Sequence, residues 1–163
     1  MKTLLLLRHG KSSWSDEALA DHDRPLKKRG QEAADRIGRL LNESNLVPDH
    51  VLTSSAVRAV ETTQRVIQAA AWSGNAEVVP ALYHAEPNGL VAIVSRVPNR
   101  AERVLVVGHN PGLENWLTRL IGRIEAFPTA ALAQIELPIE SWLDLSPNTR
   151  GTLKQLWRPK EIP

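Results

Sequence analysis

Arg8 and His9, Arg58 and His109 are the side chains of this sequence whose types and positions could do chemistry together. Each stands just beyond a short apolar run: Arg8 and His9 close TLLLLRHG, Arg58 follows HVLTSSAV, and His109 with Asn110 ends RVLVVGHNP. Two guanidinium forks and two imidazoles gathered in one place repel one another unless an anion sits among them, and a guanidinium matches phosphoryl oxygens two at a time. With phosphate so held, one imidazole could attack phosphorus in line and split a single displacement into two through a covalent intermediate. The second imidazole and the arginines would stabilise charge on the equatorial oxygens. Neighbouring cations are expected to keep the attacking imidazole neutral at pH 7. Such a scheme calls for no metal and no cofactor.

For these residues to meet, the runs that precede them must lie side by side. Residues 3–7 are almost wholly apolar, which suits a strand buried on both faces. From Gly30, GQEAADRIGRLLNES puts Ala33, Ile37, Leu40 and Leu41 on one helical face. Residues 50–54 read as a second strand, with Ser54 or Ser55 capping the helix AVRAVETTQRVIQAAA. Residues 76–82 read as a third strand, residues 90–97 as a short helix, and residues 103–109 as a fourth strand whose helix starts near Pro111. ALAQIELP and GTLKQLW read as strands, antiparallel at one edge.

The alternation predicts an α/β fold, a single domain over residues 1–163 in three α/β/α layers around a mostly parallel central sheet. Such sheets bind ligands outside the carboxyl ends of their strands, where the two arginines and two histidines converge. Helix N-termini after Ser54 and Asn110 are expected to point further N–H groups at the same anion.

Composition narrows the alternatives. The 163 residues are 42% hydrophobic and 23% charged, with net charge +2, an ordinary balance for a globular chain. No basic run is interleaved with aromatics, and Phe plus Tyr number only two, so no nucleic-acid partner is expected. Cysteine is absent, which excludes a thiolate nucleophile. Neither a signal segment nor a run of apolar residues long enough to span a bilayer is present, so the expectation is a cytoplasmic protein with no membrane partner. GKSS at residues 10–13 imitates the end of a P-loop, but that motif needs a glycine at position 5, where Leu5 stands.

LLRHGKSSW, DHDRPLKKRG, TSSAVRAVETT and VVGHNPGLE, in that order, resemble the successive signatures of the histidine phosphatase superfamily, the branch shared with phosphoglycerate mutases. More narrowly the chain resembles the small SixA-like phosphohistidine phosphatases. The resemblance runs from about Lys2 to Leu120 and implies a phosphoglycerate mutase-like fold. It makes His9 the phosphorylated nucleophile and His109 the second histidine of the phosphate pocket, and gives Arg8 and Arg58 to the phosphate oxygens. Asp23, Pro25, Leu26 and Gly30 match the loop beside the site, with Arg24 at its mouth. Asn110 and Ser12 would be supporting donors. The implied activity is hydrolysis of a phosphorylated substrate, a phosphohistidine-bearing protein domain above all.

One departure matters. Larger relatives place a glutamate general acid where ALYHAEP has His84, with Glu86 two residues on. Imidazole is a better leaving group than an alkoxide and is readily protonated near neutral pH, so the missing carboxylic acid leans towards phosphohistidine. The alternatives are a phosphomonoesterase acting on a small molecule, with His84 or Glu86 as the acid, and a non-catalytic phosphate-binding module. Transfer to water is preferred over mutase activity, which needs extra enclosing loops. Blander readings remain: Arg58 could pair with Glu61 on its own helix, Trp14, Trp116, Trp142 and Trp157 are expected to pack or form rims, and Lys154, Arg158 and Lys160 are expected to form a solvated basic face. DHD at 21–23 is rejected as a metal site because adjacent residues rarely converge on one ion.

Overall fold

The computed structural model describes residues 1–162, so only Pro163 of the expected domain lies outside the described residues. Its strands are β1 (Lys2–Arg8), β2 (His50–Thr53), β3 (Glu77–Val78), β4 (Arg103–Gly108), β5 (Leu132–Leu137) and β6 (Thr152–Trp157). The helices are α1 (Lys28–Glu43), α2 (Val57–Ala69), α3 (Pro87–Val94) and α4 (Gly112–Ile121). The strands form one sheet in the order β3-β2-β4-β1-β5-β6. β1, β2, β3 and β4 run parallel, while β5 and β6 close one side as an antiparallel pair.

The apolar runs of β1 and β4 become the two central strands because both faces of each are covered. In β1, Leu4 and Leu6 join one core and Leu5 and Leu7 the other, as the alternation of side chains along a strand requires. β4 divides likewise, Val104 and Val106 to the first core, Leu105 and Val107 to the second. The first core is completed by α3 and α4 through Leu90, Val91, Leu113, Trp116 and Leu117. The second is completed by α1 and α2 through Ala34, Ile37, Leu41, Ala59 and Val66. A Cβ on Gly38 of α1 would strike the Val66 carbonyl and Ala69, so glycine there lets α1 approach α2 closely. Arg65 of α2 then reaches Asp35 of α1 with both nitrogens, Nε at 3.1 Å and Nη2 at 2.9 Å.

The helix after β1 covers one face of the sheet and the helix after β4 the other, so the connections leave these two parallel neighbours on opposite faces. A crevice at their carboxyl ends follows. In-register pairing of Leu7 with Val107 and Arg8 with Gly108 delivers His9 and His109 to its two lips together.

The third strand is far shorter than residues 76–82: only Glu77–Val78 pairs, and Pro80–Leu82 turns as a 3-10 segment. Pro80 has no N–H for a ladder, and β3 is an exposed edge that ends where pairing fails. The short helix begins at Pro87 rather than at residue 90, proline being suited to a first turn. No helix among the described residues is long and apolar enough to cross a membrane.

Candidate active site

His9 leaves β1 on a turn that Gly10 makes possible. A Cβ on Gly10 would lie 2.8 Å from the Gly30 carbonyl oxygen, and one on Gly30 would collide with the Lys11 backbone, so the loop sits directly on the first turn of α1. Thr62 of α2 ties the same turn from the other side: its Oγ1 accepts the Gly10 N–H at 3.0 Å and donates to the Arg58 carbonyl at 2.7 Å. The His9 N–H reaches the Gly108 carbonyl at 3.1 Å, fixing its distance from β4. The His9 turn, α2 and β4 are thus one braced unit.

Hydrogen bonding sets the protonation of both imidazoles. His9 Nδ1 lies 2.7 Å from the Gly10 carbonyl, which can only accept, so Nδ1 carries the hydrogen and Nε2 presents a lone pair. Arg58 Nε donates towards that Nε2 at 3.4 Å. His109 Nε2 lies 2.7 Å from Ser54 Oγ, and Ser54 Oγ also accepts the Ala56 N–H at 3.2 Å. Ser54 is fully buried and its hydroxyl hydrogen has no other acceptor among the described residues, so it goes to His109 Nε2, leaving a hydrogen on His109 Nδ1. That Nδ1 and Arg8 Nε are buried and have no acceptor among the described residues. The rings of His9 and His109 stand 5.0 Å apart between centroids.

The electrostatics agree with neutral rings. Burial above all, then the charges of Arg58, Arg8 and Arg24, pushes His9 down to about 4, against the upward pull of its Gly10 bond. His109 falls to about 3, first through burial and then through the fields of His9 and Arg58. Positive neighbours were expected to keep the nucleophile neutral; they do contribute, but burial is the larger cause.

The cavity is about 410 Å³ in volume and draws on the segments that follow β1, β3 and β4 and on the first turn of α2. Arg8, His9, Arg58 and His109 all line it, as do Ser12, Arg24, Asn110 and His84. Glu86 is not brought in. It is exposed and occupies the N-cap position of α3, outside this cavity. Arg24 is buried and fully engaged, Nη1 with Asp21, Nη2 with Ser12 Oγ and Nε with the Ser13 carbonyl. The Asn110 amide is spent on structure, Nδ2 to the Phe127 carbonyl and Oδ1 to the Glu114 N–H. Neither serine expected at the N-cap of α2 occupies it; Ala56 does, and Ser54 turns to His109 instead. At the two helix starts the Ala56 N–H donates to Ser54 Oγ and the Glu114 N–H to Asn110 Oδ1. Glu61 accepts the Leu26 N–H at 2.8 Å, while Arg58 turns to the cavity, so the helical pair is not formed.

Asp21 and Tyr83 were not singled out from sequence. Asp21 Oδ2 accepts from Arg58 Nη2 at 3.0 Å, Oδ1 from Arg24 Nη1 at 2.9 Å, and the Asp21 carbonyl from Arg58 Nη1 at 2.7 Å. Tyr83 Oη donates to the same carboxylate. Hydrogen bonds from Tyr83 first, and from Arg24 and Arg58, hold Asp21 well below the usual carboxylate range. Asp21 thus aims Arg58, while His22 Nε2 of the same run lies 2.9 Å from Ser55 Oγ. The rings of Tyr83 and His84 meet at a tilt of 38° with centroids 4.0 Å apart. Lys11 and Lys27 also line the cavity and make it strongly positive around one carboxylate. Trp14 forms its rim, 74% exposed, with the Arg24 guanidinium 3.2 Å over its ring, whereas Trp116 and Trp142 are core residues.

The family model described as histidine phosphatase superfamily (branch 1) matches residues 4–83. An uncharacterised protein of Mycobacterium tuberculosis is 34% identical over 152 residues, 86% of this chain and 92% of that one. Among solved structures, one assigned as the phosphohistidine phosphatase SixA of Nakamurella multipartitia superposes with a TM-score of 0.83 at 27% identity, covering 97% of this chain and 96% of that chain. The protein histidine phosphatase SixA complexed with tungstate gives a TM-score of 0.83 at 25% identity, with 97% of each chain covered.

Proposed function

Since the chain belongs to the histidine phosphatase superfamily, in its SixA-like branch, we propose that this phosphatase removes phosphoryl groups from protein phosphohistidine through a covalent phosphohistidine formed at His9. The observation that carries the reading is the tautomer of His9: Nδ1–H is held by the Gly10 carbonyl, so a neutral Nε2 lone pair faces the cavity. Around it, Arg8 Nε and His109 Nδ1 are N–H donors without an acceptor among the described residues, an arrangement suited to phosphoryl oxygens. The SixA structure that holds tungstate, a tetrahedral oxyanion like phosphate, supports an oxyanion pocket in this branch.

In the first step the Nε2 lone pair forms a bond to phosphorus while the P–N bond to the substrate imidazole breaks, its electron pair going to that ring, which takes up a proton. Arg58 and Arg8 hold the equatorial oxygens and His109 Nδ1–H donates to one of them. In the second step water attacks phosphorus, the bond to His9 Nε2 breaks, and inorganic phosphate leaves with the hydrogens of the water. His9 returns to its starting tautomer, held by Gly10.

A second reading, hydrolysis of a small phosphate monoester, has one observation in its favour. His84 lies at the cavity, exposed and in ring contact with Tyr83, where it could protonate a leaving alkoxide. The deciding experiment follows inorganic phosphate release from a phosphohistidine peptide and from a sugar phosphate in parallel, with wild type and His9→Ala in EDTA. Fast, His9-dependent release from the peptide is expected. Preference for the ester, lost in His84→Ala, would favour the second reading, and an undiminished rate in His9→Ala would overturn both. Saturable phosphate binding without turnover of either substrate would mark a binding module.

A further inference from the structure

Beside the catalytic cavity lies a second hollow of about 510 Å³. Its cations are Lys11, Arg29, Arg36, Arg158 and Lys160, faced by the carboxylates of Glu32 and Glu161. They come from the nucleophile loop, one face of α1 and the C-terminal turn Pro159–Glu161. The two hollows adjoin, Lys11 and Thr129 lining both. The wall between them is tied to the chemistry: the Ala130 N–H donates to the carbonyls of Arg8 and His9, each at 3.0 Å.

Most of this charge is uncommitted. Arg158 pairs with Glu125 at 3.1 Å and Glu161 at 3.6 Å, but Lys11, Arg29, Arg36 and Lys160 form no ion pair with another described residue. Arg36 Nε is buried without a hydrogen-bond partner there. Clustered like charges cost stability unless an anion answers them, and a neutral solvated face would interleave its signs. Arg158 and Lys160 are therefore less a solvated face than one side of a positive bay that adjoins the catalytic cavity. At the rim of the catalytic cavity Trp14 stands exposed, a residue type enriched where proteins meet.

We infer that the bay receives acidic side chains of the phosphorylated partner protein, beside the phosphorylated residue, and so selects acidic phosphoproteins over small phosphorylated molecules. This rests on the reading that the substrate is protein phosphohistidine. A small phosphate ester fills the catalytic cavity alone, whereas a folded acidic surface brings carboxylates to Arg29, Arg36 and Lys160 while its phosphoryl group enters between Arg8 and Arg58. The charge is placed to speed encounter and fix orientation, effects that weaken with salt.

The test compares two phosphohistidine peptides, one flanked by glutamates and one by serines and glycines, with wild type and the double variant Arg29→Glu/Lys160→Glu. Both replaced residues are exposed and lie outside the catalytic machinery. Wild type is expected to favour the acidic peptide in kcat/KM by about tenfold at low salt, and the double variant to lose that preference while turning over the neutral peptide as before. Equal kcat/KM for the two peptides in wild type, or equal loss on both in the variant, would overturn the inference. If neither peptide is hydrolysed, the reading of the substrate fails, and the bay is judged by binding. An octaglutamate peptide titrated into labelled protein should then shift amide resonances of α1 and the C-terminal turn saturably in wild type and not in the double variant. No binding at low ionic strength, or tighter binding of a nucleic-acid oligomer than of octaglutamate, would overturn it.

Discussion

Replacing His9 by glutamine removes an imidazole that the folded chain holds far from its ordinary proton affinity, and the consequence can be read in stability as well as in rate. In the unfolded chain His9 titrates near 6.5, and in the folded protein at about 4. Because the folded value is depressed, the unfolded state takes up the proton first as pH falls. Wild-type stability is therefore unaffected by this group above about pH 6.5 and declines as pH drops towards 4. The full loss is about 3 kcal/mol, and roughly 2 kcal/mol of it accrues between pH 7 and pH 5, where the unfolded imidazole is almost fully charged and the folded one still neutral. A glutamine side chain in its place takes up no proton, while His109, pushed down chiefly by its own burial, titrates in both proteins. Guanidinium unfolding curves at the two pH values should thus shift by about 2 kcal/mol in favour of His9→Gln on going from pH 7 to pH 5. On the nucleophile's account, kcat/KM of the wild type should hold down to pH 5, since Nε2 keeps its lone pair. Parallel pH dependence of the two proteins, or an imidazole titration of His9 by NMR with its midpoint near 6.5, would refute the account.

Arg58→Ala should lower kcat by about 10²- to 10³-fold, the usual effect of losing a donor to transferring-group oxygens, and Arg58→Lys should not restore it, because Asp21 and Tyr83 aim a fork and not a point charge; steady-state kinetics near the wild-type rate in either variant would contradict that aim. Thr62→Val keeps the shape of a buried side chain but leaves the Gly10 N–H without its acceptor, so denaturant unfolding should show a loss of about 1–3 kcal/mol, together with a fall in kcat as the nucleophile turn loosens. Unchanged stability would mean that the turn is held by other contacts. Gly30→Ala drives a methyl group into the Lys11 backbone and should cost about 1–3 kcal/mol in thermal or denaturant unfolding; a neutral result would show that the loop can lift from α1 freely.

The four central residues were legible in the sequence because each follows a strand whose own composition marks it. Leu4 to Leu7 and Val104 to Val107 are apolar on both faces, so they must be interior strands, and whatever follows them must emerge at the sheet's carboxyl edge. The motif S-x-x-x-R-A-x-x-T has a physical account in the fold, since Ser54 sets the tautomer of His109, Arg58 meets His9 and Thr62 anchors Gly10. The residues 76–82 misled because an apolar alternation does not reveal that the strand is an edge broken by Pro80.

The chain's order of apolar runs, turn residues and charged side chains by itself determined the layered α/β architecture, the central strands and the meeting of Arg8, His9, Arg58 and His109 at one edge. Tertiary structure alone decided which loops fold over that edge. It brought Asp21 and Tyr83 onto Arg58, left Glu86 outside, and joined Arg29, Arg36 and Lys160 into one positive bay. The difference has a physical cause: strand burial is a local property of composition, whereas a loop's side chains find their partners only after distant backbones close against each other, here at the Gly10–Gly30 contact and along the α1–α2 packing.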